Sequence, residues 1–156
     1  MKIKWGKLLL CLALPLAVGG LSAFFTKGNM QLFETVEQPP LAPPAWLFPV
    51  AWTVLYLLMG FASYRVCMSE EGKEYKSRFW WLYGAQLFFN FFWSLIFFNL
   101  QAYLFAFFWL ILLLALIVWM MCTARKIDKV AFWCLAPYPV WVIFAGYLNL
   151  GIALLN

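Results

Sequence analysis

Apolar residues run along the chain in five blocks, and charged residues fall almost entirely between them. A bilayer core of roughly 30 Å is crossed by about 20 apolar residues in a helix. The blocks 5–25, 45–65, 79–98, 102–122 and 130–154 therefore each predict one transmembrane helix. The predicted fold is an all-α integral membrane bundle of five transmembrane helices, a single domain over residues 1–156. Its connectors differ in kind. Asn99 to Gln101 joins helices 3 and 4 as a tight antiparallel hairpin, while 65–78 and 123–129 are short charged links.

Residues 26–44 form the one long loop, read as a lid between helices 1 and 2. Within it Leu32, Phe33 and Val36 are spaced as one helical face, which leaves two readings open: a short amphipathic helix over the bundle mouth, or a solvated connector. Pro39, Pro40, Pro43 and Pro44 hold the approach to helix 2 extended, so that helix is predicted to start near Ala45 with Pro44 in its first turn.

A composition that is 67% hydrophobic and 11% charged, with mean hydropathy +0.87, excludes a soluble domain, because too little polar surface exists to face water. The first block has the charged start of a signal peptide, but its apolar length and poor cleavage site predict an uncleaved helix. Lys2, Lys4, Lys7, Arg65, Lys73, Lys76, Arg78, Arg125, Lys126 and Lys129 fall on one side of the membrane and Lys27 alone on the other, which predicts the N-terminus inside and the C-terminus outside. The basic residues thus report contact with a lipid bilayer and not with nucleic acid. Cys11, Cys67, Cys122 and Cys134 all fall in the inner half, where thiols stay reduced. Histidine is absent, so no metal site or general base of the usual kind is predicted.

Three helices carry stripes of polar and aromatic residues at steps of three and four. These are Trp52, Tyr56, Gly60 and Ser63; Tyr83, Gln86, Asn90, Trp93 and Phe97; and Tyr138, Trp141, Ala145, Asn149 and Ile152. Polar side chains in lipid turn toward protein, so the stripes converge on one interior. Asn90 and Trp141 lie near the middle of their spans, with Trp52 about 4.5 Å from its own midpoint by helical rise. An indole at that depth needs a partner or a cavity, which leaves interior packing or a pocket for Trp52, Trp93 and Trp141. Trp46, Trp80, Trp81, Trp119 and Trp133 sit near span ends as an interfacial belt. Pro137 and Pro139 predict a kink beside Trp141, as a bent pocket wall or as a helix shaped to its neighbours. With no charge inside any span, ion coupling is a poor reading, and a large, flat, apolar ligand fits better. Gly84, Ala102 and Ala106 offer small surfaces for a homodimer.

Three segments also carry a resemblance. P-P-x-W-x-F-P-x-x-W-T-x-L-Y-x-x-M-G at 43–60, L-Y-x-x-Q-L-x-x-N-x-x-W-S at 82–94 and P-Y-x-x-W-x-x-F-A-x-x-L-N-x-x-I-x-x-L-N at 137–156 resemble the signatures of the translocator protein family, also called tryptophan-rich sensory proteins or peripheral-type benzodiazepine receptors. The resemblance implies a bacterial-type member in a bacterial cytoplasmic membrane that binds porphyrins such as protoporphyrin IX, with no covalent cofactor. Other members bind cholesterol and isoquinoline or benzodiazepine drugs. It implies ligand contacts at Trp52, Asn90, Trp93, Trp141, Ala145 and Leu148, to which the stripes add Tyr56 and Tyr138. Trp52 and Trp141 match tryptophans credited with light-dependent porphyrin degradation in some members, and are the catalytic candidates if this chain is an enzyme. A receptor, a porphyrin transporter, a photochemical enzyme and a non-catalytic assembly partner all stay open. The lid departs from the family pattern, with Met30, Gln31, Leu32 and Phe33 replacing the usual Trp and Tyr, and Gln38 replacing a lysine.

Overall fold

The computed structural model describes residues 2–156, the side chain of Leu32 excepted. Helix α1 spans Trp5–Thr26 and runs through a 3-10 turn, Lys27–Asn29, into the short α2, Met30–Thr35. Next come α3 (Leu47–Met68), α4 (Lys73–Ser94, ending in a π-turn at Leu95–Asn99), α5 (Tyr103–Arg125), α6 (Lys129–Leu135) and α7 (Pro137–Leu155). Five helical stretches, 5–29, 47–68, 73–99, 103–125 and 129–155, are long and apolar enough to cross a membrane, as the five blocks predicted.

Two helix starts differ from expectation. The second span begins at Leu47 and not at Ala45, because Pro44 opens a turn over Ala45 and Trp46 (Leu47 N–H to Pro44 O, 3.0 Å) and Pro49 takes the place in the first helical turn where a missing N–H is harmless. The third begins at Lys73 and not at Phe79. Hydropathy marks the apolar depth of a span, whereas its backbone helix extends into the polar zone. Here Gly72 at φ 63° starts the helix, and Lys76 Nζ donates to the carbonyls of Cys67 (3.2 Å) and Ser69 (2.6 Å). A methyl at Gly72 would lie 2.4 Å from Lys126 O, so the position requires glycine for space as well as for its φ.

At the fifth span, Pro137 and Pro139 divide one predicted helix into α6 and α7 at Ala136, whose N–H turns back to Trp133 O at 3.3 Å. Asp128 caps α6 through Val130 N–H (2.8 Å) and Ala131 N–H (3.1 Å) and pairs with Arg65 at 2.9 Å, tying that end of the bundle together. In α1, Pro15 lacks the N–H that Cys11 O would receive four residues back. Gly60 of α3 packs against that carbonyl: a methyl there would sit 2.8 Å from Cys11 O and 2.7 Å from Leu12 Cα. The N-terminal half of α1 and the C-terminal half of α3 thus meet backbone to backbone.

The amphipathic reading of the lid is the one the structure takes. Phe33 of α2 is buried and Gln31 and Glu34 face out; the side chain of Leu32 lies outside the described residues. At its far end, Asn156 Oδ1 accepts from Glu37 N–H at 3.0 Å while Asn156 Nδ2 donates to Glu37 O at 2.8 Å, and Tyr147 O–H donates to Pro40 O at 2.6 Å. Trp46, Trp80, Trp81, Trp119 and Trp133 are exposed near span ends, as a belt requires. The four cysteines are free. Of the small residues singled out for self-association, Gly84 is open, but Ala106 is buried and unavailable to a second copy.

Candidate ligand-binding site

The three stripes meet. Tyr56, Tyr83, Gln86, Asn90, Trp93, Phe97, Tyr138, Ala145 and Asn149 are all buried, and α3, α4 and α7 turn them toward one another. Between them and the lid lies a cavity of about 470 Å³, lined by α1, the lid, α3, the lid end of α4 and α7. Its floor is Tyr56 and Asn90, its far wall Trp93, Ala145, Leu148 and Asn149, and its roof Met30 and Phe33.

Every polar group in the floor and far wall answers to another. Tyr56 O–H donates to Asn90 Oδ1 at 3.4 Å, and Asn90 Nδ2 donates to Tyr138 Oη at 2.8 Å; Tyr138 O–H in turn donates to Gln86 Oε1 at 2.8 Å. Trp93 donates its indole N–H to Asn149 Oδ1 at 3.0 Å, and Asn149 Nδ2 donates to Tyr103 O at 2.6 Å. Such pairing is what an apolar membrane interior demands of buried amides and phenols. It fixes the rotamers of the wall before any ligand arrives.

Trp52 is the hub of the aromatic wall. Its ring stacks on Tyr56 (centroids 5.7 Å, interplanar angle 27°) and lies 6.2–6.3 Å from Trp93, Tyr138 and Trp141. The π-turn lets the consecutive residues Phe97 and Phe98 both reach Phe33 of the lid, at 5.9 and 5.8 Å. Phe33 also meets Phe48 edge-on at 5.5 Å, so the lid is seated on three aromatic rings.

Helix α1 supplies the rest. Gly19 leaves room for the Tyr56 ring, which a methyl there would approach to 2.3 Å, and the hydroxyls of Ser22 and Ser94 join α1 to α4 across the cavity edge. Leu16, Gly20 and Ala23 of α1 and Pro49 and Thr53 of α3 line the cavity and are also exposed. Between these two helices the cavity therefore opens sideways, toward the lipid.

Comparison with known proteins agrees with this architecture. Residues 11–155 match the model of the TspO/MBR family. The chain belongs to the TspO/MBR family. It is 38% identical to the tryptophan-rich protein TspO of Chlorobaculum tepidum over 150 residues, covering 96% of this chain and 95% of that protein. The same identity holds to the protein of that name in Archaeoglobus fulgidus over 153 residues, with 96% and 97% covered. The translocator protein of Bos taurus is 30% identical over 138 residues, covering 87% of this chain and 82% of its own. With five spanning helices, this TspO/MBR chain is an integral membrane protein.

Of the residues singled out from sequence, Trp52, Tyr56, Asn90, Trp93, Ala145 and Leu148 line the cavity of this TspO/MBR chain. Tyr138 and Trp141 do not: they form the layer behind, Tyr138 under Asn90 and Trp141 between Trp52 and Phe48 (5.9 Å). The Trp141 indole N–H is buried there without a hydrogen-bond partner. Sequence reasoning missed α1 altogether. Its signal was Gly19, Gly20 and Ser22, small residues close together in an otherwise apolar span.

Proposed function

We propose that this protein is a membrane receptor of the translocator type that holds a porphyrin, such as protoporphyrin IX, or another flat apolar ligand in the cavity under the lid. The observation that carries the reading is the cavity itself. Its volume of about 470 Å³ falls within the ~300–1,000 Å³ of small-molecule sites, and its walls are indole, phenyl and phenol rings around two carboxamides, Asn90 and Asn149. Aromatic faces favour a flat ligand through stacking, and a preformed wall spares the ordering cost of binding. The sideways opening between α1 and α3 admits a lipid-dissolved molecule without lifting the lid. The test is titration of the detergent-purified protein with protoporphyrin IX, read by tryptophan fluorescence; saturable quenching at about one ligand per chain is expected, and quenching that never saturates rejects the reading.

A second reading, light-driven degradation of the bound porphyrin with oxygen as oxidant, is favoured by one observation. Trp52 both lines the cavity and touches Trp141, so an indole pair stands beside a light-absorbing ligand. Transport across the membrane and service as a non-catalytic assembly partner have no such feature in their favour. For topology, we place the N-terminus in the cytoplasm and the lid and C-terminus outside a bacterial cytoplasmic membrane, on the ten-to-one distribution of basic residues. An impermeant thiol reagent applied to intact cells should label an added cysteine at Asn156 and spare one at Lys4. A homodimer, if formed, would use the open face of α4 around Gly84, and membrane crosslinking that yields monomer at every concentration refutes it.

A further inference from the structure

The cavity wall holds one charge. Among the residues that line it, Lys27 is the sole ionisable group with a full charge at neutral pH, and it is also the single basic residue on the lid side of the chain. It stands in the 3-10 turn that joins α1 to the lid, at the mouth of the cavity, while Asn90 and Tyr56 lie at its floor. Among the described residues Lys27 forms no ion pair: the two acidic partners found in salt bridges, Asp128 and Glu70, belong to the opposite end of the bundle. Its ammonium lies 4.6 Å from the centre of the Phe24 ring, a contact that leaves its three donors unclaimed by any anion.

We infer that Lys27 is a carboxylate-binding residue that selects and orients the ligand. The inference rests on the porphyrin reading and deepens it: the preferred ligands are flat apolar molecules bearing a carboxylate on one edge. The uncharged edge enters toward Trp52 and Asn90, and the carboxylate stays at the mouth beside the Lys27 ammonium. A cavity whose floor is already paired within the protein offers no home for an anion, since a buried carboxylate without a counter-charge is heavily penalised. The mouth does, because Lys27 supplies the charge at a depth where water still reaches it. One orientation follows for each ligand, set by charge at one end and stacking at the other.

Lys27 has a bland role to set against this one. A cation after the last turn of α1 also favours the helix dipole, and lysine at a span end reaches the headgroup zone. Both of these act on the protein alone and do not depend on which ligand is present. The two accounts therefore separate on a single comparison, the affinity for protoporphyrin IX against that for its dimethyl ester, which keeps the ring and loses both charges.

The experiment measures both ligands by tryptophan quenching on the full chain and on Lys27→Gln and Lys27→Arg. Lys27→Gln is expected to weaken binding of the free acid by roughly 3- to 5-fold, the upper part of the scale of a partly exposed ion pair, and to leave the ester within two-fold of the parent. Lys27→Arg should retain the preference for the acid, and raised salt should erode that preference in the parent and not in Lys27→Gln. Unchanged ester binding also shows that the variant is folded. An acid-to-ester ratio that is the same in the parent and in Lys27→Gln overturns the inference while leaving the porphyrin reading intact. Failure of both ligands to bind saturably to the parent removes that reading and the inference with it.

Discussion

Tyr138 accepts a hydrogen bond from Asn90 Nδ2 at 2.8 Å and donates one to Gln86 Oε1 at the same distance, although no surface of its ring reaches the cavity. It joins α7 to α4 beneath the floor, so the position of Asn90 depends on a residue no ligand touches.

Removing the Tyr138 hydroxyl orphans a buried donor and a buried acceptor together. Tyr138→Phe is expected to lower stability by about 1–2 kcal/mol, the range found for hydrogen bonds between membrane helices. It should also weaken ligand binding several-fold. Thermal unfolding in detergent, followed by circular dichroism, measures the first effect. A variant as stable as the parent would mean that the network is dispensable.

Gly60 and Gly84 give opposite expectations for one chemical change. At Gly60 a methyl would lie 2.7 Å from the backbone of Leu12, whereas at Gly84 it would meet nothing within 4 Å. Gly60→Ala must push α1 from α3 and should cost roughly 1–3 kcal/mol, as overpacking does. Gly84→Ala should be neutral or slightly stabilising, because alanine is the better helix former. Equal melting temperatures for the two variants would contradict the close approach of the helices.

The lid is latched by the reciprocal bonds between Asn156 and the backbone of Glu37. Asn156→Ala should release them without disturbing the bundle. The expected result is faster amide exchange over residues 36–38 and faster ligand dissociation, with a melting temperature within about 2 °C of the parent, since each net bond contributes only about 1 kcal/mol. Unaltered exchange there would show that the Tyr147–Pro40 bond and the aromatic seat of Phe33 hold the lid without Asn156.

Much of this architecture was legible in the sequence, for a physical reason. A bilayer tolerates few unpaired polar groups, so the stripe from Tyr83 to Phe97 could face only inward, and Pro137 with Pro139 could only interrupt a helix. Depth within the span was readable as well: it put Trp52, Asn90 and Trp141 at one level, and of these Trp52 and Asn90 line the cavity. What stayed hidden lacked a polar or periodic signal. Helix α1 is apolar around most of its circumference, so its small residues Gly19, Gly20 and Ser22 formed no stripe that pointed to the Tyr56 ring. Spacing also could not tell a residue on the cavity surface from one directly behind it, which is why Trp141 and Tyr138 were grouped with Trp52 and Asn90. The early start of α4 was obscured by Lys73, Lys76 and Arg78, whose charge reports their depth and says nothing against a helical backbone.

The photochemical reading makes the two tryptophans unequal. Trp52 lines the cavity, and Trp141 reaches it only through Trp52 or Phe48. At equal occupancy, Trp52→Phe should slow illuminated loss of bound protoporphyrin more than Trp141→Phe, and darkness should abolish the loss in every variant. Bleaching at the parent rate in both variants would make these residues packing groups and the protein a receptor alone.

Filling the cavity under the lid shows whether ligand occupies it. Ala145 is buried on the cavity wall, whereas Val140, on the same helix, is exposed toward the lipid. Protoporphyrin titrations of Ala145→Phe and Val140→Phe, each verified as folded by circular dichroism, place the same added ring inside and outside the site. The account predicts parent-like affinity for Val140→Phe and at least a ten-fold loss for Ala145→Phe. Parent-like saturable binding by a folded Ala145→Phe would place the ligand elsewhere on the protein and contradict the account.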